Sequence, residues 1–332
     1  KNKFENIVYR FNRKVQNNED PLNTSSRTVK VFLSTVHGTK TEMIDKWKND
    51  IDVCYIDEAS QLNFTMCSNG FLAKKHILVG DYNQLSPLVP LNLSEKFDKD
   101  IIKKSFFEIL WNKISENDED ERCSYLPVQY RMNKEIASYP FSKWYSEFNI
   151  ENFQKVANDR LDYPNDDWIS DQYKDILDPD LPSLWIQVDS NNDIARSRVN
   201  FDEAKVCSII IDKFFKYGQD INNKIGVIAP FRRQVNEIKN TVVSVVGDVN
   251  KDLVDTVDRF QGSQKEIIII SICSGENDNF LETDYRRLNV ALTRAKFKRI
   301  IIGDIDKAGK DLKGILSDGF TKMIKFDFEE SV

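Results

Sequence analysis

The residues best suited to chemistry are two acids in the front half of the chain and a group of arginines near its end. Asp57 and Glu58 are adjacent and close an apolar run, Val53-Cys-Tyr-Ile56. Neighbouring carboxylates at a strand end suit a metal-bound nucleotide. One holds Mg²⁺, directly or through water, and the next orients or deprotonates a water attacking the γ-phosphate. Alone, such a pair is more often a solvated turn; Ala59-Ser60-Gln61 behind it makes the signal more specific. Tyr285 to Lys296 reads as a helix with two unlike faces. Leu288, Leu292 and Ala295 recur at core-facing spacing, and Arg287, Ala291 and Arg294 recur at the same spacing on another face. The small alanine keeps that second face low, so a phosphate could approach both guanidiniums. A solvated basic helix is the commoner outcome of this pattern, but here it has company.

Gly80-Asp-Tyr-Asn-Gln-Leu-Ser-Pro87 follows an apolar run and offers Gln84, an amide able to hydrogen-bond a water or a phosphate oxygen. Asp81 and Asn83 fit the simpler role of satisfying turn backbone. Gln129-Tyr-Arg-Met132 precedes a helical pattern. Arg131 could reach a phosphate across a cleft, or pair with a carboxylate; Tyr130 offers a ring for a base, or a core side chain. Thr256 carries a hydroxyl suited to a nucleic-acid phosphate, although a β-branched strand residue needs no such role. Gly262 permits a tight turn after it.

Positioning these groups requires a sheet with its loops at one edge. Short apolar runs at 29–33, 53–56, 76–79, 184–188, 225–229, 253–257, 267–272 and 300–303 read as strands. Helical patterns fall at 62–72, 105–114, up to about Tyr145, 202–217, 231–246 and after Lys307. Strand, polar loop and helix in repeated order predict an α/β fold with mostly parallel sheets, whose ligands sit beyond the carboxyl ends of the strands. Asp57-Glu58, Gln84 and the Ser34-to-Gly38 loop all lie at such ends. The charged stretch Ser115 to Arg122 reads as a linker, giving one lobe over 1–122 and a second over 123–332. Residues 151–182, rich in Asp, Asn, Tyr and Pro, read as an acidic insertion or long surface loop in the second lobe.

Net charge is −6, yet it is unevenly spread. Glu151 to Glu203 holds 13 acidic and 5 basic residues, Tyr285 to Lys325 holds 11 basic and 4 acidic, and Lys1 to Asp50 holds 10 basic and 6 acidic. Two basic regions thus remain available for phosphate. Five scattered cysteines and two histidines carry no zinc or cluster spacing, which suits a reducing compartment. No apolar run reaches the length of a membrane span, and the first residues have no apolar signal region. The start at Lys1, without methionine, is the mark expected of a fragment.

Six stretches together resemble superfamily 1 helicases of the group containing the nonsense-mediated-decay RNA helicase. They are Cys54-Tyr-Ile-Asp-Glu-Ala-Ser-Gln61, Leu78-Val-Gly-Asp-Tyr-Asn-Gln-Leu-Ser-Pro-Leu-Val89, Val128-Gln-Tyr-Arg-Met-Asn133, Ile225-Gly-Val-Ile-Ala-Pro-Phe-Arg-Arg-Gln234, Val257-Asp-Arg-Phe-Gln-Gly262 and Arg286-Arg-Leu-Asn-Val-Ala-Leu-Thr-Arg-Ala-Lys296. They occur in the family's order. Within that group the chain looks most like the helicase part of the eukaryotic DNA-replication nuclease-helicases, on Ala59-Ser-Gln61, Glu203-Ala-Lys205 and Phe153 to Asn158.

The resemblance implies two RecA-like P-loop NTPase lobes that use ATP and Mg²⁺. It implies Asp57 as the Mg²⁺ ligand, Glu58 as catalytic base, Gln84 as γ-phosphate sensor, and Arg131 and Arg294 as arginine fingers. Tyr130 would stack on adenine, Gln234, Gln264 and Arg287 would lie at the nucleotide, and Thr35 and Thr256 would touch the nucleic-acid backbone. Gln264 stands where the family usually has an acid facing the ribose. Nothing matches G-x-x-x-x-G-K-[ST], so the first lobe is expected to be incomplete and these residues alone to hydrolyse ATP poorly. The implied function is 5′-to-3′ movement on single-stranded DNA in the nucleus, with replication or repair proteins as partners. The rival readings are an RNA helicase of the decay type, placed in the cytoplasm, and a non-catalytic nucleic-acid-binding module.

Overall fold

The computed structural model describes residues 8–10, 31–33, 35–36, 50–67, 73–87, 104–116, 121–189, 197–275 and 279–327. The chain divides into two compact units, Lys1–Ser124 and Tyr125–Val332. Parts of the early strand, helix and linker readings (29–30, 68–72 and 117–120) and most of the Ser34-to-Gly38 loop lie outside the described residues.

In the first unit, β1 (Val8–Arg10) pairs in parallel with β2 (Val31–Leu33). Separately, β3 (Val53–Ile56) pairs in parallel with β4 (Lys75–Leu78), Tyr55 opposite Ile77 and Ile56 opposite Leu78. These apolar strands are only partly covered: Val53, Tyr55, Ile77 and Val79 are exposed. A short helix α1 (Phe64–Cys67) and α2 (Phe106–Ser115) complete the described part. The Ser105 side chain accepts the Glu108 amide and fixes the start of α2.

The second unit is built on a six-stranded parallel sheet of order β12-β7-β11-β10-β8-β9. Its strands are β7 (Ser183–Gln187), β8 (Ile225–Ala229), β9 (Val254–Thr256), β10 (Lys265–Ser271), β11 (Ala295–Gly303) and β12 (Thr321–Lys325). The isoleucine runs of β10 and β11 are buried throughout, as both faces of such a sheet must be covered. Helix α3 (Lys134–Trp144) follows a two-residue β5 (Val128–Gln129), which pairs with β6 (Glu151–Asn152). Helix α4 (Phe201–Lys216) presents Ala204, Cys207, Ile211 and Phe214 to the core at helical spacing, and α5 (Arg232–Val246) presents Val235, Ile238 and Val242. Burying each of the valine, isoleucine and phenylalanine side chains among these stabilises the fold by about 1.5–3 kcal/mol. Helices α6 (Tyr285–Leu292) and α7 (Lys310–Leu316) follow β10 and β11.

Two sequence expectations change here. The arginine-bearing helix ends at Leu292, not Lys296. Thr293 Oγ1 donates back to the Asn289 carbonyl, and β11 begins two residues later with Ala295 in register with Lys265. The sheet captures residues that helical spacing had assigned to a fourth turn. The acidic segment is also more than a surface loop: Leu161, Ile176 and Leu177 belong to the core. Lys298, on β11, is fully buried and donates to the carbonyls of Asp178 and Leu181. The next residue, Arg299, is equally buried on the opposite face and donates to the Ile136 carbonyl of α3 and to Ser183 Oγ.

Candidate functional site

In the first unit the acids and the glutamine turn occupy the carboxyl ends of two adjacent strands. Glu58 adopts a left-handed conformation (φ 53°, ψ 37°) as the chain leaves β3. Its amide donates to Asp57 Oδ1 at 2.9 Å, and its carboxylate accepts from Gln61 Nε2 at 3.0 Å. Both acids are exposed. The neighbouring loop is laced to this one: Ala59 N–H donates to the Val79 carbonyl, and the Asp81 amide approaches Ser60 Oγ at 3.4 Å. Gly80 is required between them, since a Cβ there would stand 2.9 Å from the Ser60 nitrogen. Gln84 Nε2 donates to Asp81 Oδ2 at 2.8 Å, while Asp81 Oδ1 accepts the Asn83 amide. Asp81 therefore satisfies the turn and also orients Gln84. Thr35 is exposed, two residues past β2.

In the second unit, Arg131 and Arg294 meet at Thr293. Arg131 Nη1 donates to the Thr293 carbonyl at 3.1 Å, and Arg294 Nη2 to the Thr293 hydroxyl at 3.1 Å. Arg131 Nε also donates to Gln264 Oε1 at 2.9 Å. Gln264 thus lies with the arginines, as a neutral acceptor. Arg294 is only 1% exposed, with Nε donating to the Val290 carbonyl that ends α6. It does not stand on an open helical face, and Ala291 is buried rather than a low gap for a phosphate. Arg131 is half-buried.

The turn carrying Tyr130 and Arg131 is shaped by Gln129. Its Oε1 accepts the amides of Arg131 and Met132, and its Nε2 donates to the Met132 carbonyl and to Asn152 Oδ1. Tyr130 is left 64% exposed, so it is not a core residue.

Arg287 belongs to a stack of cations and rings at the carboxyl edge of the sheet. Its guanidinium lies 4.7 Å from the Phe280 ring centre, Phe280 lies 5.2 Å from Phe231, and Arg198 covers Phe231 at 4.4 Å. Among the described residues Arg287 Nε has no hydrogen-bond partner, and the Asp258 carboxylate lies 3.9 Å away. A buried donor left unmade is costly. Thr256, at the end of β9, is half-buried and its hydroxyl does not cap the turn that follows.

Gln234, expected near the nucleotide, lies inside the second unit. It is completely buried, because its amide is taken up inside the unit: Oε1 accepts the Asn200 amide, and Nε2 donates to the Asn200 carbonyl and to Ser271 Oγ. The same network contains Glu203, which sequence reasoning noted only as a helix start. Its carboxylate accepts from Ser271 Oγ, the Cys273 amide and Asn200 Nδ2. Burial pushes its carboxyl up to about 7, against these donors. Cys273 takes a left-handed conformation there (φ 44°). Two strand-end connections, before α4 and after β10, are thereby tied to one acid, and Gln234 of α5 bonds the same Asn200 and Ser271.

Residues 102–306 match one AAA-domain family model, and residues 1–90 match a second AAA-domain model. The chain is 33% identical over 279 residues to the DNA replication ATP-dependent helicase/nuclease DNA2 of Mus musculus, covering 78% of this chain and 25% of that protein. It is 34% identical over 279 residues to an uncharacterized ATP-dependent helicase of Methanocaldococcus jannaschii, covering 82% and 39%. It is 30% identical over 300 residues to helicase sen1 of Schizosaccharomyces pombe, covering 87% and 17%. The chain therefore spans well under half the length of each of these relatives. Among the described residues no helix is long and apolar enough to cross a membrane.

Proposed function

Because this chain belongs to the superfamily 1 helicases, close to the DNA-replication helicase/nucleases, we propose that it is the C-terminal portion of an ATP-dependent DNA helicase. Such a protein couples ATP hydrolysis to 5′-to-3′ movement on single-stranded DNA, in the nucleus and alongside replication or repair proteins. The observation that carries the reading is the meeting of Arg131, Gln264 and Arg294 around Thr293. Guanidiniums drawn from distant parts of the sequence bond one residue, and in this reading they meet charge developing on a γ-phosphate.

In this reading Glu58 takes the proton of the attacking water, Gln84 senses the γ-phosphate, and Tyr130 stacks on adenine. Arg287 supplies the donor on its unpartnered Nε, and Gln264 accepts a ribose hydroxyl without charge. Thr35 and Thr256 hold the strand's phosphates. Gln234 acts indirectly, by fixing the loops at Asn200 and Ser271. Asp57 would hold the Mg²⁺ that accompanies the triphosphate and offsets its charge. Among the described residues no group of three or more acidic, histidine or cysteine side chains is placed to hold a metal alone. One carboxylate plus phosphate oxygens is the usual arrangement for Mg²⁺.

The 332 residues contain no G-x-x-x-x-G-K-[ST] stretch, so they hydrolyse ATP poorly until joined to a phosphate-cradling loop. The test is ATP hydrolysis by the intact helicase with single-stranded DNA, single-stranded RNA or neither, and unwinding of duplexes with a 5′ or a 3′ overhang. Stimulation by DNA and unwinding from a 5′ overhang are expected. Stimulation by RNA alone moves the protein to the RNA helicases, and hydrolysis without either strand's influence removes the coupling.

A further inference from the structure

Tyr130 does not stand alone on its surface. The ring of Phe153 lies 4.7 Å from it, centre to centre, inclined at 40°. Phe153 is 40% exposed, so two apolar rings share one solvent-facing patch. Their placement is fixed from the backbone. The Phe153 amide donates to the Gln129 carbonyl, and the Phe153 carbonyl accepts the amides of Val156 and Ala157. Gln129 Nε2 holds Asn152 as well as the Met132 carbonyl. One glutamine therefore sets Tyr130, Arg131 and the strand leading to Phe153 together. Sequence reading had placed Phe153 in an acidic insertion without a chemical role.

We propose that Phe153 is a second base-binding ring, forming with Tyr130 a two-ring platform for the nucleobase of the bound nucleoside triphosphate. This rests on the reading of Tyr130 given above and extends it. The occupant follows from what adjoins the platform. Arg131 is the next residue after Tyr130, and its guanidinium is carried towards Gln264 and Thr293, beside Arg294. Two inclined rings at the turn that carries Arg131 match a molecule with a base at one end and phosphates at the other. A nucleobase of the bound strand is the other source of the same chemistry, but it brings one phosphate per base rather than a triphosphate reaching the arginine pair.

The experiment compares the affinity of the intact helicase for ATP, inorganic tripolyphosphate and an oligo-dT strand by titration calorimetry, in the wild type, Phe153→Ala, Phe153→Leu and Tyr130→Ala. Phe153→Ala is expected to weaken ATP about 5-fold, the lower end of what one stacking ring contributes, with tripolyphosphate unchanged; Phe153→Leu falls between. An equal loss for ATP and tripolyphosphate makes Phe153 structural and overturns the proposal. So does a loss confined to oligo-dT. If Tyr130→Ala weakens ATP and Phe153→Ala does not, the inference fails while Tyr130 keeps its role. If wild-type protein prefers ATP no more than tripolyphosphate, both fail together.

Discussion

Arg131 and Arg294 are bonded to one residue, Thr293, the first through its carbonyl and the second through its hydroxyl. The two guanidiniums differ in how much structure depends on them. Arg294 is buried beneath the end of α6, whereas Arg131 is half-buried and also bonds Gln264.

This difference predicts different phenotypes. In the intact helicase, Arg131→Ala should lower ATP turnover by roughly 10³-fold or more, as loss of an arginine finger does, with the melting temperature nearly unchanged. Arg294→Ala should lose turnover and stability together, because it leaves the Val290 carbonyl and Thr293 hydroxyl without their donor. Single-turnover hydrolysis read beside thermal melting separates the cases. Full turnover by Arg131→Ala would make that residue a mere brace for Thr293.

For the acid pair, Glu58→Gln in the intact helicase should abolish hydrolysis while ATP still binds. The amide keeps the size of the side chain and loses the base. Filter binding of ATP together with phosphate release reads both. Retained hydrolysis would assign the base elsewhere.

Glu203 sets one pH dependence of stability. Burial raises its carboxyl from 4.5 to about 7 in the folded state. Between those values the folded protein holds a proton that the unfolded chain has released. The stabilising contribution is complete below about 4.5 and is lost as pH rises through about 7. Melting temperatures of this protein across pH 4.5–7.5 should show that decline. Glu203→Gln should flatten it, since its amide cannot titrate.

Lys298 sets the opposite slope in another window. Burial lowers its amine from 10.5 to about 7. From about 7 to 10.5 the unfolded chain carries a proton that the folded one lacks, so stability rises with pH across that range. Lys298→Met should remove the rise and cost about 1–3 kcal/mol near pH 9, by leaving a buried acceptor unmade at Asp178 or Leu181. Denaturant melts at pH 7 and pH 9 test both statements.

The parallel sheet of the second unit was legible because the isoleucines of β10 and β11 form runs that few other elements accept. The strand-end positions of Asp57, Glu58 and Gln84 were legible for the same reason, since an apolar run followed by polar residues marks where a strand stops. Three features were hidden. The end of α6 depends on pairing between Ala295 and Lys265, which local spacing does not carry. The burial of Gln234 depends on Asn200 and Ser271, both far away in the sequence. In the acidic segment, Leu161, Ile176 and Leu177 are too widely spaced to show a period, and the amine that anchors it lies over a hundred residues on. Polar side chains reveal their burial only when their partners are known.

Lys298 and Arg299 pass through opposite faces of one strand and each seizes carbonyls from a different outlying segment. Peeling away either segment would break the hydrogen bonds that satisfy a buried amine or guanidinium. Neither the acidic segment nor α3 can then detach as a local fluctuation; each opens only when the central strand itself comes apart. Amide protons along both should exchange with solvent at the slow, shared rate of whole-unit opening, although one segment looks like decoration on the surface.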